Sequence, residues 1–199
     1  MTPRQQLQRQ NHPTTNSIIS VEPIRTLDDV AAVKGILYGR NLTMFTLGVN
    51  INLRASDLLA LTMGHVDFQR GEMILREKKT GKKRHISLSV PVMMLLTEHC
   101  KPDRVYDPTE LLFPSNKGGG MIGVSAFNHM VKKWCGDAGL TGNFGSHTLR
   151  KTWAFLQYTV FNTDLSIISD QLNHSSMKTT YRYLGIMPDH IKALYANFI

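Results

Sequence analysis

A small set of arginine, lysine, histidine and tyrosine residues in this chain can together handle a phosphate diester. Arg54 lies in Asn50-Ile51-Asn52-Leu53-Arg54-Ala55-Ser56-Asp57-Leu58-Leu59, between one apolar helical pattern and the start of the next, where a loop can expose it. Its planar fork can clamp a phosphate through two donors. The plainer reading is a surface ion pair with Asp57, a common arrangement of little energy. In His147-Thr148-Leu149-Arg150 an imidazole and a guanidinium stand three residues apart. On a helix they face the same way, one suited to proton handling and the other to charge. A solvated helix face explains the same spacing without chemistry. His174 is followed nine residues later by Tyr183. A tyrosine is a poor nucleophile at its free pKa near 10, and cationic donors around the phosphate it attacks make it useful. Packing with a hydrogen-bonded hydroxyl is the plain alternative.

These residues need elements to hold them. Apolar periodicity predicts a helix from Leu27, with Asp28 and Asp29 in its first turn and Val30, Val33, Ile36 and Leu37 on one face. A second helix is expected from Asn41 through Met44, Phe45, Leu47 and Val49. A third, capped by Ser56, would carry Leu58, Leu59 and Leu61. Two strands, Glu72–Lys78 and Arg84–Ser89, flank a basic turn of Thr80, Gly81, Lys82 and Lys83. Pro91 opens another helix through Val92, Leu95 and Leu96. Residues 102–123 read as loop, with Pro102, Pro108, Pro114 and the run Gly118–Gly120. Helices follow over Ser125–Ala138, Ser146–Phe161, Asp164–Leu172 and Ser176–Leu184. A last amphipathic segment holds Ile191, Leu194, Tyr195 and Phe198. The pattern is that of an α+β, mainly α-helical domain with a small antiparallel sheet.

Order and spacing carry more than any one motif. An Arg, a basic hairpin, a His-x-x-Arg and a His with Tyr nine residues on are arranged as in the tyrosine recombinases, the phage-integrase family. The resemblance covers roughly residues 25–199. Arg54-Ala55-Ser56-Asp57, followed by leucines, looks like the family's first Arg box, with Asp57 in place of the usual Glu. Lys78-Lys79-Thr80-Gly81 resembles its hairpin lysine segment, and His147-Thr148-Leu149-Arg150-Lys151-Thr152 its second box. Leu172-Asn173-His174 resembles the usual Leu-Gly-His, with Asn173 in place of Gly.

The resemblance implies the tyrosine-recombinase catalytic fold and a metal-free, cofactor-free reaction. Arg54 and Arg150 would grip the scissile phosphate, and loss of such a donor costs about 3–4 kcal/mol of barrier. Lys79 would protonate the leaving 5′ oxygen, a role worth roughly 10²–10⁴-fold. His147 and His174 would handle protons or hydrogen-bond the phosphate. Tyr183 would attack and leave a 3′-phosphotyrosyl link. Lys78 and Lys82 compete with Lys79, which is preferred because it directly precedes Thr80-Gly81. Tyr181 competes with Tyr183, which the nine-residue spacing and the following Leu184-Gly185-Ile186 favour; residues two apart on a helix point in different directions, so both cannot aim at one phosphate. Lys78, Lys82, Lys83, Arg84 and Lys151 are expected to contact DNA.

Composition agrees with a polyanionic partner. The chain has 199 residues and a formal charge of +8, enough length for one cored domain and a balance suited to phosphates. Residues 1–22 read as a flexible arm and 23–199 as the catalytic domain. Cys100 and Cys135 form no C-x-x-C pair and are expected to be reduced, partly buried thiols of a cytoplasmic protein. No apolar run approaches the roughly 18–20 residues of a membrane span, and no secretion signal is visible. Larger family members carry an N-terminal DNA clamp. The natural-looking arm after Met1 favours a short single-domain member, like the fimbrial phase-switch recombinases, over a fragment. The expected partner is double-stranded DNA, with a monomer in free solution and a homotetramer on paired sites. The C-terminal stripe would dock on a neighbouring protomer or fold back on its own core. Three other readings stand beside this one: type IB topoisomerase-like relaxation, a catalytically weak DNA-binding regulator, and a structural DNA-binding module.

Overall fold

Residues 20–185 are described by the computed structural model. Eight α-helices and a three-stranded antiparallel sheet make up this part of the chain: α1 Leu27–Ile36, α2 Gly39–Asn50, α3 Ala55–Leu59, β1 Val66–Asp67, β2 Glu72–Arg76, β3 Lys83–Ser87, α4 Val90–Cys100, α5 Val124–Asp137, α6 Thr148–Thr159, α7 Leu165–Leu172 and α8 Met177–Leu184. The predicted segment at Ile191, Leu194, Tyr195 and Phe198 lies outside the described residues, as does most of the predicted arm.

Helix α2 is the centre of the larger core. Seven consecutive residues, Thr43 to Val49, are buried, so this part of the helix is enclosed all round rather than along one stripe. It lies close against α6. A Cβ on Gly48 would come within 2.5 Å of Leu149 Cδ1, so the absent side chain is what permits the approach. That packing sets the depth at which α6 presents Arg150. A second, smaller cluster of Ala154, Leu165, Ile168, Leu172 and Leu184 joins α6, α7 and α8. The chain ahead of α1 is strapped to α6: Glu22 N donates to Asn143 O, Thr148 Oγ1 to Glu22 O, and Ile24 N to Thr152 Oγ1.

Several boundaries differ from the sequence expectation. Arg54, not Ser56, is the N-cap of α3, which ends at Leu59 after five residues. Helix α6 begins at Thr148, with His147 as its N-cap rather than an interior residue. The strands are shorter than expected, because the chain leaves β2 at Arg76 and re-enters the sheet at Lys83. The two-residue β1 adds a third strand, pairing Val66 with Met73 and Asp67 with Glu72. A strand of two residues is too short to show alternation.

Candidate active site

The turn between β2 and β3 is closed by Glu77 N donating to Lys82 O and Gly81 N to Glu77 O, with Gly81 at φ +66. Lys78, Lys79, Lys82 and Lys83 are all exposed on it. Its base is fixed to α3, since Lys78 N donates to Asp57 Oδ1 at 2.9 Å. Asp57 therefore holds the hairpin, and the expected alternative of an Arg54–Asp57 pair does not form. Arg54 instead bonds Glu77 Oε2 at 2.6 Å. Sequence reading did not single out Glu77. It has no spacing relation to Arg54, 23 residues earlier, and nothing local marks it.

The C-terminal end of α7 organises the opposite side. Asn173 takes the left-handed conformation at φ 55, which Asn tolerates better than most residues. The terminal carbonyls of a helix lack internal partners and carry partial negative charge. Here they hold cations and an amide. Leu172 O accepts from Arg150 Nη2 at 2.9 Å, and Gln171 O accepts from Arg84 Nη1 at 3.2 Å and Asn52 Nδ2 at 2.9 Å. Arg150 Nη1 reaches Asn52 O at 2.9 Å, so one guanidinium bridges the α2–α3 connection and α7. The Asn173 side chain itself contacts the Lys82 amine, a contact that a glycine there could not make.

Helix α8 brings Tyr183 beneath these groups. Its ring packs edge-on against His174, with centroids 5.1 Å apart, and the Lys151 amine lies 5.0 Å from the ring centroid. Lys151 is buried and donates to Ser20 Oγ at 2.6 Å, while Arg84 is tied to Glu77 and Gln171. Of the five expected DNA contacts, Lys78, Lys82 and Lys83 are the ones on open surface. The Tyr183 hydroxyl is enclosed and makes no hydrogen bond of ordinary geometry among the described residues, although the Arg150 side chain lies close enough to act on it. Burial raises the pKa of Tyr183 to about 12, against the charge and the close side-chain approach of Arg150 and then the charge of Arg54. Tyr181 packs against the smaller core cluster.

The two histidines are held neutral. His147 is an exposed residue, yet its partly desolvated surroundings lower its pKa, and the charges of Arg150, Lys151, Arg54 and Lys79 lower it further. Burial, then Arg150 and Arg54, do the same for His174. His174 Nδ1 meets Thr180 Oγ1 at 3.0 Å, and that hydroxyl donates to Ser169 Oγ. Thr180 therefore accepts from Nδ1–H, and the neutral ring keeps Nε2 as a proton acceptor. In the DNA-free protein both rings are expected to titrate below the ordinary value of 6.5, read by NMR of the ring protons with His147→Asn and His174→Asn for assignment. A proton bound more weakly in the folded than in the unfolded chain makes stability fall as pH drops below 6.5. A midpoint at or above 6.5 for either ring would contradict this electrostatic picture.

Arg54, Arg150, His147, His174 and Tyr183 thus form one electrostatic neighbourhood, with Lys79 close enough for its charge to act on His147. Two arginines, two neutral imidazoles and an enclosed hydroxyl can bind an anion, accept a proton and supply a nucleophile. No described helix is long and apolar enough to cross a membrane.

Residues 24–190 match the phage integrase family. The chain is 32% identical over 181 residues to the probable integrase/recombinase YoeC of Bacillus subtilis, covering 89% of this chain and 97% of that protein. It is 24% identical to the tyrosine recombinase XerC of Proteus mirabilis, of which it spans 58%. Among solved structures, XerA recombinase superposes with a TM-score of 0.69 at 20% identity, covering 93% of this chain and 65% of the other. XerH recombinase in a post-cleavage complex with difH DNA gives 0.69 at 20%, covering 93% and 55%. These likenesses establish the tyrosine-recombinase catalytic fold expected from the sequence.

Proposed function

The chain belongs to the phage integrase family, and from that premise we propose that it is a tyrosine-type site-specific recombinase, cutting and rejoining double-stranded DNA through a 3′-phosphotyrosyl intermediate. One observation carries the assignment of the site: an enclosed Tyr183 hydroxyl that makes no hydrogen bond of ordinary geometry, beside Arg150 and within the field of Arg54. A buried polar group without a partner calls for an explanation, and a phosphate oxygen brought between the hydroxyl and the two guanidiniums supplies one.

Arg54 and Arg150 bind the non-bridging oxygens and stabilise the charge that builds in the pentavalent transition state. Tyr183 Oη forms the new bond to phosphorus as the bond to the 5′ oxygen breaks. The tyrosine proton passes to a neutral imidazole at the site, and the Lys79 ammonium protonates the departing oxygen to give a 5′-hydroxyl. Rejoining reverses these transfers, and the covalent link conserves the phosphodiester energy. Lys78, Lys82 and Lys83 lie on the hairpin surface, where they contact the DNA backbone. Residues 23–199 form the catalytic unit, and residues 1–22 an arm. The protein works in the cytoplasm, monomeric when free and tetrameric on paired DNA sites.

Covalent trapping tests this reading. The protein is mixed with nicked duplexes, including sequence flanking its own gene, so that the short 5′-hydroxyl fragment diffuses away after cleavage. Detergent-resistant protein at a DNA 3′ end is the expected product. Measurable DNA binding without any adduct counts against the assignment, and a stable DNA-free tetramer by light scattering counts against the assembly.

A further inference from the structure

Glu77 is a carboxylate in an unusual place. Its side chain is 2% exposed, at the foot of a turn whose four neighbouring lysines are all in solvent. Three donors converge on it: Arg54 Nη1 at 2.6 Å and Thr80 Oγ1 at 2.8 Å on Oε2, and Arg84 Nη1 at 3.2 Å on Oε1. Burial would raise its pKa, but the hydrogen bonds from Thr80 and Arg54 and the charges of Arg54 and Arg84 hold it below the ordinary carboxylate range. Its main chain closes the same turn, giving N–H to Lys82 O and accepting from Gly81 N. One residue thus grips a phosphate-binding arginine, the hydroxyl next to Lys79, and an arginine that reaches the end of α7.

A buried ion pair is weak evidence for stability, because desolvation consumes most of its Coulomb energy. What such an arrangement does well is fix geometry. Arg54 spends only Nη1 on Glu77, and its other donors have no partner among the described residues. The guanidinium is therefore oriented without being occupied. Thr80 follows Lys79 directly, so the Glu77–Thr80 bond restrains the backbone from which the Lys79 side chain departs.

We propose that Glu77 is a positioning residue that holds Arg54 and the Lys79-bearing turn in one frame, setting phosphate clamping and leaving-group protonation together. The inference rests on the reading of Lys79 as the general acid. It predicts that part of the defect of a Glu77 variant is a defect in protonation.

Sulfur in place of the bridging 5′ oxygen isolates that part. Attack still forms the Tyr183–phosphorus bond, but the breaking bond is phosphorus–sulfur, and the thiolate leaves without a proton because a thiol pKa is only about 8.5. Single-turnover cleavage would be measured on nicked duplexes carrying the site at which the wild-type chain forms adducts, in oxygen and sulfur versions. Lys79→Ala is expected to cleave the oxygen substrate about 10²–10⁴-fold slowly and the sulfur substrate nearly as fast as wild type. Glu77→Gln is expected to lose about 10- to 100-fold on oxygen, and sulfur should recover part of it, the remainder reporting Arg54. Thr80→Val leaves both arginine contacts in place, and should show a smaller loss that sulfur recovers fully. It serves equally if Glu77→Gln does not fold. Lys79→Ala unrescued by sulfur overturns the reading of Lys79 beneath the proposal. Lys79→Ala rescued, with Glu77→Gln or Thr80→Val either unslowed or slowed without rescue, overturns the positioning role itself.

Discussion

Replacing Tyr183 by Phe is expected to remove covalent adduct formation, a fall of at least about 10⁴-fold given what losing a nucleophile costs other enzymes, while leaving the protein as stable as before or slightly more so. The first half follows from the assignment of the nucleophile. The second follows from the environment of the hydroxyl, which is enclosed and makes no hydrogen bond of ordinary geometry among the described residues. A buried hydroxyl without a hydrogen bond is a cost to the folded state, and its removal relieves that cost. The ring contacts survive in Phe: the edge-on packing with His174 and the amine of Lys151 over the ring face. Thermal unfolding and trapping on the same preparations give both answers. Tyr181→Phe should keep full adduct formation. An adduct that persists in Tyr183→Phe and vanishes in Tyr181→Phe moves the nucleophile two residues along α8. A large drop in Tm for Tyr183→Phe would show that the hydroxyl has a structural partner after all.

Arg150 is expected to behave in the opposite way, losing catalysis and stability together. Arg150 is 5% exposed, and its guanidinium bridges Asn52 O and Leu172 O, each at 2.9 Å. Arg150→Ala removes a transition-state donor, at about 10²–10³-fold in cleavage rate, and strands two buried carbonyls at roughly 1–3 kcal/mol each. For a chain of this size, about 1 kcal/mol moves Tm by roughly 2–4 °C, so a drop of about 4–24 °C is expected. Arg150→Lys keeps the charge but not the planar fork that spans two acceptors. It should recover part of the stability and little of the rate. If Arg150→Ala melts with the wild type, the bridge between the α2–α3 connection and α7 is not contributing as the geometry requires.

These two residues show how much of the site was legible. The catalytic residue types, their order and the nine-residue step from His174 to Tyr183 are local or ordinal properties, and they survive in a linear string. Helix positions were also readable, α5 and α7 falling within one residue of the expected Ser125–Ala138 and Asp164–Leu172. Short elements were less so. The helix expected from Ser56 exists as α3, but it is capped by Arg54 and stops at Leu59 before Leu61, and the two residues of β1 hold too few periods for a pattern to emerge. Lys151 and Arg84 were expected to contact DNA, and nothing in the sequence marked the partners they have within the chain: Ser20 and the Tyr183 ring for Lys151, Glu77 and Gln171 for Arg84.

The sequence by itself determined the chemistry available to this protein. Side-chain pKa, charge and nucleophilicity belong to residue types, and the periodicities that place those types on helices or a hairpin are short-range. Only the tertiary structure decided how that chemistry is poised. Arg54 pairs with Glu77 rather than with Asp57, and Arg150 is braced by main-chain oxygens of Asn52 and Leu172. Glu77 serves the first Arg box from the far side of a hairpin, and the Tyr183 hydroxyl is closed off with its pKa near 12. The physical reason is the same in each case. A backbone carbonyl is present at every residue, so its use as an acceptor leaves no mark in the sequence. Burial and long-range ion pairing depend on which surfaces meet when α2, α6, α7 and the hairpin pack, and no spacing along the chain records that meeting.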